Sequence, residues 1–99
     1  MMGFTRWGYY FYGPFSDLDE LSDTPGVYVL LCEIGKNILD VGESENVRAR
    51  VKNHERSDCW RENCFGAIIY SVTYILDEEE RRELEKRIRE SERVACGER

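Results

Sequence analysis

The sequence predicts a small α/β (α+β) domain: a central three-stranded, mainly antiparallel sheet flanked by helices, in the order strand, strand, helix, strand, helix. Three observations carry this. Residues 26–34 are apolar at both alternating positions, the pattern of a strand covered on both faces. Residues 67–76, AIIYSVTYIL, are rich in β-branched and aromatic side chains bounded by polar segments. Two further stretches, one around Val47 and Val51 and one around Leu84 and Ile88, space their apolar residues as helices do. The 99 residues suffice for one core but not for two. We therefore expect one domain, with residues 24–99 forming its body and residues 1–23 packed on it as an aromatic and acidic extension.

The extension opens with Phe4, Trp7, Tyr9, Tyr10, Phe11, Tyr12 and Phe15, interrupted by glycines and Pro14. Such a run covers an edge or face of a small sheet that would otherwise be open to pairing, or else offers a platform on which bases stack; core-building is the commoner use. Residues 16–23, SDLDELSD, read as an acidic loop or helical turn anchored by Leu18 and Leu21, and Pro25 ends it. Gly35, Lys36 and Asn37 supply turn chemistry before a second strand over residues 38–41, which Gly42 ends. Ser44 is placed to cap a helix beginning near Glu45. On that helix Arg50 and His54, four apart, project along one strip beside the apolar seam. A polar connection follows, with Trp60 as its anchor into the core. After the third strand, Asp77 and Glu80 have the form of a capping box opening a highly charged helix to about Val94. Its apolar stripe is Leu84 and Ile88, with Glu78/Arg82, Glu83/Arg87 and Glu85/Arg89 as opposite charges four apart.

The formal net charge of −6 weighs against simple nonspecific binding to a polyphosphate, whose affinity rests on cations. The distribution matters more than the total, however. Between Arg48 and Arg56 the basic residues outnumber the acidic ones, while acidity gathers in residues 17–23 and in the last helix. One basic face is enough for a nucleic-acid partner, and Arg48, Lys52 and Arg56 are its candidates. No secretory signal and no apolar run near membrane-spanning length is present, so a cytoplasmic protein with no membrane partner is the expectation.

The order Gly26, Val27, Tyr28, then Asp40, Val41, Gly42, then Arg50 and His54 resembles the GIY-YIG nuclease family. The likeness runs over about residues 24–88 and lies in the spacing more than in any one word. It implies a GIY-YIG-like catalytic domain and a divalent-metal-dependent endonuclease hydrolysing DNA phosphodiester bonds, with Mg²⁺ or Mn²⁺ as cofactor. By resemblance Tyr28 orients or deprotonates the attacking water, Arg50 offsets charge on the phosphoryl oxygens, and His54 relays a proton or fixes the tyrosine. The family's metal-holding glutamate corresponds to Glu85, set between Leu84 and Ile88. A cation held by one carboxylate keeps most of its waters and can meet the phosphate directly. Gly42 and Asp40 are supporting positions. Asp40 stands where the family's second motif begins with tyrosine. It is either a second carboxylate toward the metal or the mark of a catalytically degenerate module that binds nucleic acid or protein without cutting. Specificity in such a domain comes from attached modules, so a protein partner or homodimer, and a branched or nicked DNA, belong to the same expectation.

The cysteines offer a competing constellation. His54, Cys59, Cys64 and Cys96 could form a three-Cys, one-His zinc site, although no CxxC pair exists. Cys32 reads as a small buried hydrophobe within its strand. A Cys64 to Cys96 disulfide is the other arrangement considered, and a reducing compartment disfavours it.

Overall fold

The computed structural model describes residues 2–97. It is an α+β domain built on one antiparallel sheet of five strands rather than the three expected. The strands are β1 (Gly3–Arg6), β2 (Tyr9–Phe15), β3 (Gly26–Cys32), β4 (Ile38–Ser44) and β5 (Ile68–Tyr74), lying in the order β1, β2, β5, β3, β4. The two additional strands are the aromatic extension. It folds as a hairpin that adds itself to β5, covering what would have been an open edge. Its pairing with β5 shifts register between Tyr12 and Phe15, where Pro14 has no N–H for a ladder.

β3 is interior, fully buried, and paired on both sides, which accounts for its apolar residues at every position. β4 continues past Gly42 to Ser44, so the glycine lies inside the strand rather than at its end. The reason is cross-strand: Gly42 is opposite Tyr28, and a Cβ at residue 42 would stand 2.1 Å from the tyrosine hydroxyl. The phenol occupies the space that any side chain at residue 42 would need.

Two clusters divide the core between the sheet's faces. On one face Leu21, Tyr28, Leu30, Leu39 and Val72 pack with Val47 and Val51 of α1 (Val47–Lys52) and Trp60 of α2 (Ser57–Glu62). On the other, Val27, Val29, Val41 and Ile69 pack with Phe11 and with Leu84 and Ile88 of α3 (Glu78–Ser91). The hairpin is fastened to α3 by polar contacts as well. Trp7 Nε1 and Arg6 each donate to Glu92 at 3.0 Å, and the Tyr9 hydroxyl donates to Glu80 at 2.6 Å.

Local signals behave unevenly. Asp77 caps α3 by accepting from Glu80 N, as expected, but the Glu80 carboxylate turns to Tyr9 instead of closing the box. α1 is capped by Asn46, whose side chain accepts from Ala49 N; Ser44, the expected cap, instead accepts from Asn46 N. The first amides of α1 find carbonyls of the acidic loop, Val47 N donating to Thr24 O and Arg48 N to Ser22 O. That loop contains one 3₁₀ turn, Leu18–Glu20, with Leu21 fully buried beneath it.

All four cysteines are paired. Cys32 joins Cys64, and Cys59 joins Cys96. The reading of Cys32 as a lone hydrophobe is therefore corrected, as is the Cys64 to Cys96 pairing. The zinc constellation loses its ligands, because a disulfide sulfur is not a thiolate donor. The bridges lie where sequence could not place them, one across the end of β3 and one between α2 and the C-terminal segment. That segment runs along the start of β4, Ala95 N donating to Ile38 O and Cys96 N to Leu39 O, and so covers the first residues of that edge strand. No helix of the described residues is long and apolar enough to cross a membrane.

Candidate functional site

The site forms where α1, the turn after it, α2 and α3 converge on β3 and β4. Tyr28 projects from the middle of β3 into the first cluster, almost completely buried, its ring held over Gly42. His54 does not lie on α1, which ends at Lys52, so the expected helical strip joining it to Arg50 is absent. It is instead turned inward from the connection between α1 and α2. Its Nε2 is 2.9 Å from the Tyr28 hydroxyl, and its ring packs 4.9 Å from Trp60.

One hydrogen bond favours a single tautomer of that histidine, against a longer contact of 3.4 Å between Arg56 Nη2 and Nε2. The Arg56 backbone N–H donates to His54 Nδ1 at 3.1 Å, so Nδ1 carries a lone pair and the neutral ring holds its proton on Nε2. His54 therefore donates to the Tyr28 oxygen, leaving the phenolic O–H to point elsewhere. Burial, then the nearby Arg50 and Arg56 guanidinium groups, push the imidazole's pKa below its usual value and keep it neutral at pH 7. Glu55 Oε2 is 3.3 Å from Nδ1, a contact that becomes an ion pair only on protonation. Tyr28 itself is raised well above an ordinary phenol, chiefly by burial and next by the Asp40 charge, with Arg50 and Arg56 opposing.

Arg50 stands beside this pair, but its fork is occupied. Glu55 takes it bidentately, Nη1 to Oε1 at 2.9 Å and Nη2 to Oε2 at 2.7 Å. This geometry is the one a guanidinium offers to two phosphoryl oxygens. The same bonds hold the exposed Glu55 carboxyl down at about 2.

Asp40 is a buried hub. Its Oδ1 accepts from Val41 N, Arg56 Nη2 and Arg89 Nη2, and its Oδ2 from Arg56 Nε and Trp60 Nε1, at 2.7 to 3.2 Å. Both oxygens are committed, so of the two roles considered for it a metal carboxylate is the one the hydrogen bonding opposes. Arg89 extends the hub: it also donates to Val41 O and to Cys96 O, tying α3, the edge strand and the C-terminal segment to one carboxylate.

Glu85 lies one turn before Arg89 on α3. It is partly exposed, with Oε2 3.4 Å from Arg89 Nε and no partner for Oε1 among the described residues. Burial raises its pKa, Arg89 lowers it, and Glu43 raises it, which places a second carboxylate within electrostatic reach. Glu43, though, is taken by Arg81 Nε at 2.8 Å. No group of three metal-ligating side chains occurs among the described residues. A single carboxylate with one open oxygen fits a cation that retains its waters, and it does not fit a fully protein-coordinated one.

Of the three proposed nucleic-acid contacts, Arg48 points away, donating to Leu21 O at 2.7 Å and pairing with Asp23. Arg56 is engaged with Asp40, and Lys52 is exposed on α1. The sequence reading passed over Trp60 Nε1, Glu55, Arg81 and Arg89 as site-building groups. Arg81 was legible only in that it falls on the stripe with Leu84 and Ile88, three before the first, whereas Arg89 adjoins Ile88 off that spacing and was visible only as the partner four after Glu85.

No protein-family model matches the chain, and searches of curated proteins and of solved structures returned no match.

Proposed function

We propose that this chain is a metal-dependent endonuclease of the GIY-YIG kind, acting on DNA phosphodiesters. One observation carries the reading: the Tyr28 hydroxyl is 2.9 Å from His54 Nε2, in a ring whose Nδ1 accepts from the Arg56 amide, beside a bidentate arginine fork.

In this reading a scissile phosphate exchanges with Glu55 on Arg50, which then holds two nonbridging oxygens and offsets the charge that builds there. Tyr28 acts on the attacking water as its phenolate, the phenol proton passing first to solvent while His54 stays within hydrogen-bond reach of the same oxygen. Loss of the phenol proton is the demanding step, since burial opposes the phenolate; the Arg50 and Arg56 charges lower that cost, and the phenolate then accepts the proton that water gives up as its oxygen attacks phosphorus. Glu85 would hold the Mg²⁺ or Mn²⁺, which supplies Lewis-acid stabilisation of phosphate and departing oxygen when bound. The buried Asp40 pairs with Arg56 and Arg89 and so positions the first of these beside His54; it is a positioning residue rather than a replacement for a tyrosine at the water. A protein partner or second copy supplying substrate choice completes the proposal, and the two disulfides weigh against the cytoplasmic location expected from sequence.

The rival reading is a domain that binds without cutting, and the closed Arg50–Glu55 pair favours it to the extent that the fork is never released. The test is cleavage of plasmid, linear, nicked and branched DNA at low salt with Mg²⁺ or Mn²⁺, beside Glu85→Ala and Tyr28→Phe. Cutting by the parent that both variants lose by at least about a hundredfold, the scale of one acid–base or charge-stabilising group, supports the nuclease. A folded parent that binds DNA but never cuts it gives the rival precedence.

A further inference from the structure

The sheet face that carries Tyr28 continues beyond the candidate site. Tyr12 of β2 and Tyr28 of β3 are both paired with Val72 of β5, so the three stand in one row on one face. With neighbouring strands ~4.8 Å apart, the backbone at residue 12 is roughly 10 Å from that at residue 28. Tyr10 and Tyr74 lie two residues along from Tyr12 and Val72 and share the face. The Tyr10 and Tyr12 rings meet edge-on at 5.4 Å, and the Tyr12 and Tyr74 rings are tilted at 6.0 Å. Beside them opens a groove of about 840 Å³ lined by Met2, Tyr12, Phe15, Glu20, Ser22 and Tyr74.

Its one lining carboxylate is Glu20, which has no side-chain partner among the described residues. The loop that carries Glu20 also holds Asp17, Asp19 and Asp23, of which Asp23 pairs with Arg48. The Ser22 N–H donates to the Tyr74 hydroxyl at 2.9 Å, which fixes the acidic loop relative to the rings. Aromatic faces beside an unpaired carboxylate are the complement of a cation, and of a guanidinium above all, which stacks on a ring while its edge meets a carboxylate. The same rings could stack nucleobases, but a phosphate backbone would have to run beside those carboxylates, and charge opposes it.

We propose that this groove docks a basic segment of a partner protein, an arginine or lysine side chain lying over Tyr12 and Tyr74 with its charge toward Glu20. The proposal deepens the reading in which a partner supplies substrate affinity that a chain of net charge −6 lacks. It is tested by binding, so its failure is distinct from a failure to cut DNA.

The experiment titrates isotopically labelled full chain with octa-arginine, octa-lysine and octa-glutamate peptides and with a dT oligonucleotide, following backbone amide shifts and affinity. The expected result is binding of the cationic peptides, with shifts confined to residues 10–23 and 72–75. Tyr12→Ala weakens it about tenfold, the size of one desolvated cation–π contact. Tyr12→Leu does the same while keeping the bulk, and Glu20→Gln weakens it severalfold. Glu79→Gln with Glu83→Gln, exposed on α3, removes more charge and leaves binding unchanged. Equal weakening by the α3 pair, no binding of cationic peptide, or dT oligonucleotide displacing peptide from the groove would each overturn the proposal, the last in favour of a base-stacking surface.

Discussion

At Tyr28, burial and hydrogen bonding act in opposite directions, and the pH dependence of cutting reads their balance. Burial and Asp40 raise the phenol's pKa, so the base form is scarce at neutral pH. A rate that needs it should rise about tenfold per pH unit from pH 6 toward 9 without levelling, as measured in single-turnover cleavage. A plateau starting near neutrality would exclude Tyr28 as the base. His54 makes the opposite contribution to folding. Its folded pKa lies below 6.5, so the unfolded chain binds the extra proton first. The stability this residue contributes is complete above pH 6.5 and is lost as the pH falls below it. His54→Gln should flatten the dependence of denaturant midpoint on pH between 5 and 7. Glu55 provides the third residue-scale test. Glu55→Gln keeps the shape but removes the charge that fills Arg50's fork. We expect tighter DNA binding, severalfold in KM at low salt, with kcat little changed; unchanged KM would show that phosphate does not replace Glu55.

At the scale of elements, Gly42 shows how one residue type ties a strand to the site. A Cβ there would meet Tyr28 Cζ at 2.3 Å as well as the hydroxyl, so Gly42→Ala must displace the ring or the edge strand. We expect a loss of about 1–3 kcal/mol in stability and at least tenfold in cutting. In a Tyr28→Leu background the stability penalty of Gly42→Ala should shrink, a non-additivity that a double-mutant cycle measures directly. The same element explains what sequence could and could not reveal. β3, β5 and α3 were legible because each carries one unbroken local signal: β3 is apolar throughout, β5 is β-branched and aromatic, and α3 sets Leu84 and Ile88 four apart. Gly42 was misread as a strand end because glycine usually interrupts strands, and the aromatic ring that demands it lies fourteen residues earlier. The hairpin's aromatics were legible as cover for the sheet, but not as two further strands, since alternation is obscured when Phe4, Trp7 and Phe11 pack inward while Tyr10 and Tyr12 face out. Tyr28, Arg50 and His54 do come together, yet by a turn rather than the helical strip that spacing implied. Arg81 and Arg89 escaped because a buried arginine paired with Glu43 or Asp40 looks in sequence like any surface charge.

For the whole molecule, the two disulfides divide stability from site geometry. Each closes a loop of similar length, with sequence separations of 32 and 37, so each should contribute about 3–4 kcal/mol by constraining the unfolded chain. Their positions differ in consequence. Cys32–Cys64 joins the end of β3 to the segment before β5, and neither cysteine hydrogen-bonds to Asp40 or to the arginines that hold it. Cys59–Cys96 holds the C-terminal segment against β4, and it is the Cys96 carbonyl that accepts from Arg89 while Arg89 holds Asp40. Replacing Cys59 and Cys96 with serine should therefore expose the Ala95 and Cys96 amides to hydrogen exchange, loosen the Arg89–Asp40–Arg56 chain, and lower cutting at least tenfold in protein that is still folded. Replacing Cys32 and Cys64 should cost comparable stability while leaving cutting within about twofold at temperatures well below melting. Equal activity losses from the two pairs, at matched fractions folded, would mean that the bridges act through global stability alone and that the C-terminal clasp does not position the site.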